Sequence, residues 1–352
     1  MNEIDLLNYR WPAEWEPHAA TWVAWPVNPD TWPGLFDRIP VAFANFVAAI
    51  AKFEPVNVLV SNSAVTESAR QLLDSACERS AATFDVRLID IPVNDSWCRD
   101  YGPIFLNRSH SITEGPSQVI IDWGYNSWGG KYPPWDKDAA VATSIASRLQ
   151  IPAVTPGIIL EGGAIEGNGA GTLLTTENCL LNPNRNPDLS RSDMEAVLRR
   201  FLNVETIVWL PGHGIIGDDT DGHIDQVARF LDEETVLVAA PYDSDADEAS
   251  DLRANFDAVA DINSLRAMEL PMPGPKFQQG HRLPACYCNL YIANGGIIVP
   301  TFGDPADDNA CGILQTAFPS HQVIGVDAID LIWGLGAFHC MTQQQPRGPQ
   351  SV

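Results

Sequence analysis

Four short stretches of this 352-residue chain hold side chains able to move protons or hold cations. In "GHID", His223 and Asp225 stand two apart, and on a strand both would project to one face. An imidazole there can carry a proton while the carboxylate holds a cation; the plainer reading is a surface histidine near a helix cap. Just ahead, "GDDTDGH" adds Asp218, Asp219 and Asp221, which form either a solvated loop tip or an anionic surface for a cationic partner. In "SWCRDYGP", Asp100 follows Trp97 by three positions and Arg99 by one. Strand geometry would turn Arg99 away and leave a carboxylate beside an indole, a pairing that suits a flat cation; the alternative is an aspartate capping the Tyr-Gly-Pro turn. Glu161 opens "EGG", where glycines allow close approach and a carboxylate can orient an imidazole.

A thiol completes the set. "GAFHCMTQQQP" (336–346) sets His339 directly beside Cys340, but neighbours on a strand face opposite ways, so the expected partner of Cys340 is His223. A cysteine in an apolar run is commonly inert packing, and six others compete for a role. Gln343, Gln344 and Gln345 would either satisfy backbone groups at a strand end or line a pocket. Three carboxylates, one histidine and one cysteine suit attack on a planar cationic carbon such as a guanidinium, whose N–H groups carboxylates can fork and hold. An ester or amide would call for an oxyanion hole instead. Two other classes fit the same residues: a hydrolase with Asp100, Glu161, His223 and Asp225 as metal ligands, or a non-catalytic binder of guanidinium or amine ligands.

The elements that must position these residues recur. Asp100, Glu161, His223, Asn289 and Cys340 fall at intervals of 61, 62, 66 and 51 residues, each opening a strand-like run. "NGAG", "DEE" and "NGG" separate apolar runs as hairpin turns do. Between them, 35–53, 64–80 and 137–150 carry apolar residues at helical spacing, and "VNVLVS", "DVRLIDI", "TIVWLP" and "QVIGVD" read as short buried strands. A unit of helix, strand and hairpin repeated five times suggests radial repetition around a central cavity; an ordinary αβ chain with coincidental spacing is the alternative. The last unit ends after one strand, so "HAATWVAWP" (18–26) is expected to pair with it and close the ring. The expectation is one α/β domain over 1–352, ordered from about 8 to 347.

Composition narrows the partners. Acidic residues outnumber basic ones 45 to 21, a net charge of −24 that repels nucleic acid and anionic membranes. That field would concentrate a cationic substrate, or serve solubility alone. No basic-then-apolar leader and no eighteen-residue apolar run appears, so a soluble cytoplasmic protein is expected. Seven cysteines, an odd number scattered through a large chain, suggest reduced thiols, and the Cys286-x-Cys288 pair has no second pair for zinc.

"WPAEWEPHAATWVAWP", "NDSWCRDYGPIFL", "EGGAIEGNGAGTLLTTENCLLNPNRNP", "DTDGHIDQVARF", "YIANGGIIVPTFGDP" and "FHCMTQQQP" resemble, in order from about residue 11 to 346, the agmatine deiminases and bacterial peptidylarginine deiminase-like proteins of the guanidino-modifying superfamily. The resemblance implies a five-bladed αβ propeller of the pentein kind, with Cys340 as nucleophile and His223 as general acid and base. By the same resemblance Asp100 and Asp225 bind the guanidinium nitrogens, Glu161 partners the histidine, and Trp97 walls the pocket. It implies a small cationic guanidino substrate, no metal or organic cofactor, a homodimeric habit and, with agmatine, N-carbamoylputrescine made on the way to putrescine. Nearby carboxylates would disfavour a resting thiolate and a bound cation would favour it. Two departures stand out: "GLGAFHC" lacks the usual Gly-Gly-Gly-Asn before the cysteine, and Asp219 and Asp221 replace the usual Glu and Asn. Both lie where the far end of a substrate would sit. Asp219 suits the ammonium of agmatine, whereas arginine or a peptidylarginine would need a cation such as Arg185 or Arg282, and amidino transfer is a further rival.

Overall fold

The computed structural model describes residues 4–109 and 115–349. Its helices start and stop where local chemistry dictates. Asn62 accepts the Val65 N–H to open Ser63–Ser80, which ends at Ala81 in the left-handed region. Pro40 stands in the first turn of Ile39–Ile50, and Phe43, Phe46, Val47 and Ile50 form its buried face. The three turns read from sequence are hairpins: Asn168 Oδ1 accepts from the Ala170 and Thr172 N–H groups, Asp232 Oδ1 from those of Glu234 and Thr235, and Gly295 takes φ +75°.

Among the described residues these elements build five mixed sheets of three or four strands and one two-stranded ribbon, Phe277–Gln278 with His281–Arg282. The same local order recurs. Ala228–Phe230 pairs antiparallel with Thr235–Ala240, which pairs parallel with Arg266–Pro271. Ile165–Gly167, Thr172–Thr176 and Thr206–Leu210 repeat it, as do Tyr291–Ala293, Gly296–Thr301 and Gln322–Asp327. Ile104–Arg108, Gln118–Ile121 and Ala153–Val154 repeat it again, with Tyr9–Arg10 added outside the first strand. An antiparallel pair needs only a tight turn, whereas the parallel partner needs a crossover, and the helices supply it.

The fifth sheet joins distant parts of the chain, as expected. Thr342–Pro346 pairs antiparallel with His18–Ala24, which continues in parallel to Val56–Val60 and Val86–Asp90. Side chains fasten this seam: Trp22 Nε1 donates to Gln345 Oε1 (3.0 Å) and Arg99 Nη1 to Gln344 Oε1 (2.7 Å). Buried beside it, His18 Nδ1 meets Glu54 Oε1 at 3.0 Å, and Glu54 Oε2 accepts the Asn294 N–H at 2.7 Å. The amides of Gln344 and Gln345 thus serve side chains of the seam and lie off the cavity wall.

Two expectations need correction. Val86–Asp90, Thr206–Leu210 and Gln322–Asp327 are partly exposed instead of buried, because each is the free edge strand of its sheet. The chemistry-bearing residues also do not open strands; they sit one step earlier, on single helical or tight turns. Cys98–Tyr101, Gly162–Ala164, Ile224–Val227 and Tyr287–Asn289 are such turns, and residues 338–340 form another. Each runs into the strand that pairs antiparallel with the middle of its sheet, so the five reference residues still occupy equivalent places. No described helix is long and apolar enough to cross a membrane, and all seven cysteines are free thiols.

Candidate active site

The turns Cys98–Tyr101 and 338–340 reach a cavity of about 1110 Å³, with Trp97, Asp100, Trp128, Asp219, Leu335 and Cys340 in its wall; Glu161, His223, Asp225 and Asn289 are buried and do not line it. Cys340 is only 3% exposed. Its Sγ takes a hydrogen bond from Asn289 Nδ2 at 3.1 Å and faces Asp225 Oδ2 at 3.5 Å. The same Asn289 accepts the Ala337 and Cys340 N–H groups through Oδ1 (3.2 and 3.3 Å), so one amide holds both the thiol and the turn that carries it. Burial pushes the thiol well above its usual range, the carboxylates of Asp225 and Asp100 push it further, and Asn289 opposes them.

Asp100 is held from three directions. Trp128 Nε1 donates to Oδ2 and the Gly163 N–H to Oδ1, both at 3.0 Å, while His223 Nδ1 faces Oδ1 at 3.5 Å. Burial raises this carboxyl to about 6, against the pull of His223. Gly163 lets these groups converge: a Cβ there would lie 2.6 Å from Asp100 Oδ1, 2.7 Å from His223 Nδ1 and 3.1 Å from Asp225 Oδ2. Burial lowers the basicity of His223, but Asp100, Cys179 and Glu161 outweigh it and hold the imidazole well above its ordinary range. Asp225 stays below the usual carboxylate range: burial works to raise it, and the hydrogen bond from His339 and the charges of His339, His223 and Arg229 prevail. These surroundings thus favour an imidazolium at His223, a carboxylate at Asp225 and a protonated thiol at Cys340.

A family model described as Porphyromonas-type peptidyl-arginine deiminase matches residues 10–346. The chain belongs to this family. A curated relative named agmatine deiminase from Pseudomonas putida is 38% identical over 366 residues, covering 96% of this chain and 95% of its own. Among solved structures, agmatine deiminase of Enterococcus faecalis superposes with a TM-score of 0.88 at 31% identity, covering 99% of both chains. Agmatine deiminase of C. jejuni with substrate bound gives 0.87 at 28%, covering 97% of both.

In this deiminase-family chain the site residues named from sequence meet, though partly through other geometry. His223 and Asp225 share the site from a helical turn instead of one face of a strand. Arg99 does turn away from Asp100, on a helical turn: it reaches Glu14 Oε2 (3.0 Å) and Gln344 behind the cavity. Trp97 lines the cavity, its indole against Gly336 and 5.8 Å from Trp32. Glu161 is tied by Oε1 to Arg185 Nε at 3.0 Å, and its Oε2 is buried without a hydrogen bond. With Cys179 and His223 it brings three possible ligand atoms within 4.8 Å of one another.

The acidic loop divides its roles. Asp218 accepts from Thr220, Gly222 and Gln226, and Asp221 from Lys131, Asn184 and Arg185, so both are structural. Asp219 alone of the three reaches the cavity wall, and it accepts from the Tyr132 hydroxyl. Arg185 is buried and occupied by Glu161, Asp221, Asn184 and the Thr220 carbonyl, which removes it as a carboxylate receptor. Arg282 stays on the cavity wall, paired with Glu248 at 2.9 Å.

His339 does more than strand alternation allowed. On its turn it shares Asp225 with Cys340: Nδ1 meets Asp225 Oδ2 at 2.7 Å and Nε2 meets Glu14 Oε2 at 2.8 Å. Glu14 itself gathers His339, Arg99 and Arg229, a buried network beneath the site. Three residues here had no assigned role from sequence: Asn289, Trp128 and Glu14. Asn289 carried a signal, since it marks the fourth repeat. Trp128 and Glu14 carried none, being single residues in loops that only the fold brings near the site.

Proposed function

We propose that this family member is an agmatine deiminase, a hydrolase of the amidine C–N bond that turns agmatine and water into N-carbamoylputrescine and ammonia in putrescine synthesis. The observation that carries the reading is a thiol and a carboxylate, Cys340 and Asp100, in one cavity wall, with the Asp225 carboxylate 3.5 Å from the thiol and the His223 imidazole 3.5 Å from Asp100. Asp100 and Asp225 fork the guanidinium N–H groups and hold its plane against Cys340. As that cation arrives, the carboxylate charge that disfavoured the thiolate is offset and the thiol releases its proton to solvent.

The Cys340 sulfur then bonds to the guanidinium carbon. His223 donates its proton to an amino nitrogen, the C–N bond breaks, and ammonia leaves an S-alkylthiouronium. Neutral His223 takes one proton from water as the water oxygen bonds to the same carbon; the C–S bond then breaks, the second water proton passes to the sulfur, and the oxygen remains as the carbonyl of the ureido product. Glu161, anchored by Arg185, adds charge that keeps His223 basic. Trp97 walls the site, and Asp219 receives the distal ammonium. An occupied Arg185 and an acid-paired Arg282 favour an amine-tailed substrate over a carboxylate-tailed one.

The five sheets with their common strand order support a further part of this reading: they are blades of one pseudo-fivefold domain, closed by the seam between His18–Ala24 and Thr342–Pro346. The functional assignment is tested by measuring ammonia and ureido product from agmatine, free arginine and an arginyl peptide side by side, with and without chelator. Agmatine is expected to dominate, chelation to leave turnover intact, and Cys340→Ser to abolish it. Preference for either arginine substrate would sink the agmatine assignment.

A further inference from the structure

We infer that Glu161, Cys179 and His223 form a latent site for one soft divalent cation of the zinc type, buried beside Asp100 and built without the Cys340 thiol. One carboxylate oxygen, one thiol sulfur and one imidazole nitrogen lie within 4.8 Å of one another, all in fully buried side chains. Glu161 Oε2 is buried with no hydrogen-bond partner, although buried polar atoms are nearly always paired, and the buried His223 ring makes only looser contacts, Nδ1 lying 3.5 Å from Asp100 Oδ1. An O, N, S donor set is one that zinc-type ions select and that calcium and magnesium avoid.

Each donor is held by something else, so the site is preformed. Arg185 fixes Glu161 through Oε1 and leaves Oε2 free. Cys179 rides the one-turn helix Glu177–Leu180, whose N-cap Thr176 accepts the Cys179 N–H. The Thr220 hydroxyl accepts the backbone N–H of His223. A point equidistant from three atoms at most 4.8 Å apart lies no more than about 2.8 Å from each, so bonds of roughly 2.0–2.3 Å ask each group to move by at most about 0.5–0.8 Å. On binding, the thiol and any imidazolium proton leave to solvent and the sulfur bonds to the metal as thiolate. Cys340 is engaged elsewhere, by Asn289 and Asp225, and contributes no ligand.

Because the ion takes the His223 lone pair, it halts turnover without touching the nucleophile. That inhibitory half rests on the acid–base role proposed for His223; the binding half does not. The test titrates zinc chloride calorimetrically into the full chain as wild type, Cys340→Ala, Cys179→Ala and Cys179→Ser, in two buffers of different protonation enthalpy. Cobalt chloride follows the thiolate charge-transfer band in the same proteins. One tight site with proton release is expected in wild type and Cys340→Ala, weakened on the order of 100-fold or more in both Cys179 variants, with the cobalt band following Cys179. Cys179→Ser keeps the side-chain volume and guards against misfolding of the alanine variant; thermal melts and deimination by both establish that they fold. Three outcomes overturn the proposal: no tight site in wild type, loss of the site in Cys340→Ala, or unchanged affinity in folded Cys179 variants. Tight binding that leaves turnover unchanged would instead keep the metal site and remove His223 from the acid–base role.

Discussion

Asn289 Nδ2 donates to Cys340 Sγ at 3.1 Å while its Oδ1 accepts the Cys340 backbone N–H at 3.3 Å, so a single side chain holds the thiol at both ends of its residue. A donor aimed at sulfur favours the thiolate, and here it is the side chain that opposes the raised thiol. Asn289→Ala is expected to lower kcat by on the order of 100-fold, as loss of one aimed donor does elsewhere. It should also slow alkylation of Cys340 by iodoacetamide, read by peptide mass spectrometry. Asn289→Asp should be worse on both counts, since it replaces a donor with a like charge. Alkylation as fast as in wild type would remove Asn289 from this role.

The free thiol should titrate high. Burial, Asp225 and Asp100 all disfavour its ionisation, so Cys340 alkylation without substrate should keep climbing with pH beyond 9. Asp225→Asn removes the nearest opposing charge and should speed alkylation at pH 8, about tenfold for each unit by which the thiol falls. The same change should cut kcat/KM for agmatine by on the order of 1000-fold, because a guanidinium-holding carboxylate is gone. Faster alkylation with slower turnover is the signature; both falling together would contradict it.

Leu335 takes φ +71°, a left-handed backbone costing a side-chain-bearing residue about 1–2 kcal/mol, and it lines the cavity. Its backbone is pinned because the flanking glycines abut indoles: a Cβ at Gly334 would lie 2.6 Å from Trp32, and one at Gly336 2.4 Å from Trp97. Leu335→Gly relieves that strain but frees the unfolded chain by roughly 0.5–1 kcal/mol, so the melting temperature should hold or rise by a few degrees. KM for agmatine should increase about 3- to 10-fold with kcat little changed, the mark of a lost binding wall. A sharp drop in stability would show that Leu335 is packing alone.

The buried His18–Glu54 pair should leave a pH signature on stability. Burial opposes both charges, yet their mutual attraction raises the His18 pKa and, with Thr21 and the Asn294 N–H, lowers that of Glu54. A depressed carboxylate stabilises above its unfolded value, about 4.3, and loses that as pH falls through its folded value. A raised histidine stabilises below its unfolded value, about 6.5, and loses that as pH rises through its folded value. Both therefore act in full from about pH 4.3 to 6.5. Glu54→Gln should cost about 3–5 kcal/mol in that window by urea unfolding, with a smaller deficit on either side. A deficit that does not vary with pH would mean the pair is not charged.

Much of this was legible in the chain because hairpin turns, apolar periodicity and recurring intervals are local or regularly spaced signals. "NGAG", "DEE" and "NGG" are hairpin turns, 64–80 lies within Ser63–Ser80, and "HAATWVAWP" meets the last strand. What failed did so for a physical reason. Alternation along a strand was applied to His339–Cys340 and His223–Asp225, but both pairs sit on turns, where successive side chains splay by a different angle. Arg185 read as a spare cation because its acidic partners Glu161 and Asp221 come from other segments. Which charges cancel inside a protein depends on the fold, and no window of sequence carries it.

The seam between His18–Ala24 and Thr342–Pro346 also has a kinetic meaning. Trp22 and Gln345, hydrogen-bonded across it, are 323 positions apart, so this closure is among the contacts of longest sequence separation and is slow to form. Thr342–Pro346 follows the turn carrying Cys340 within two residues. Any species with the seam open therefore has an unanchored thiol and presents two bare strand edges that a second chain can satisfy by swapping or aggregation.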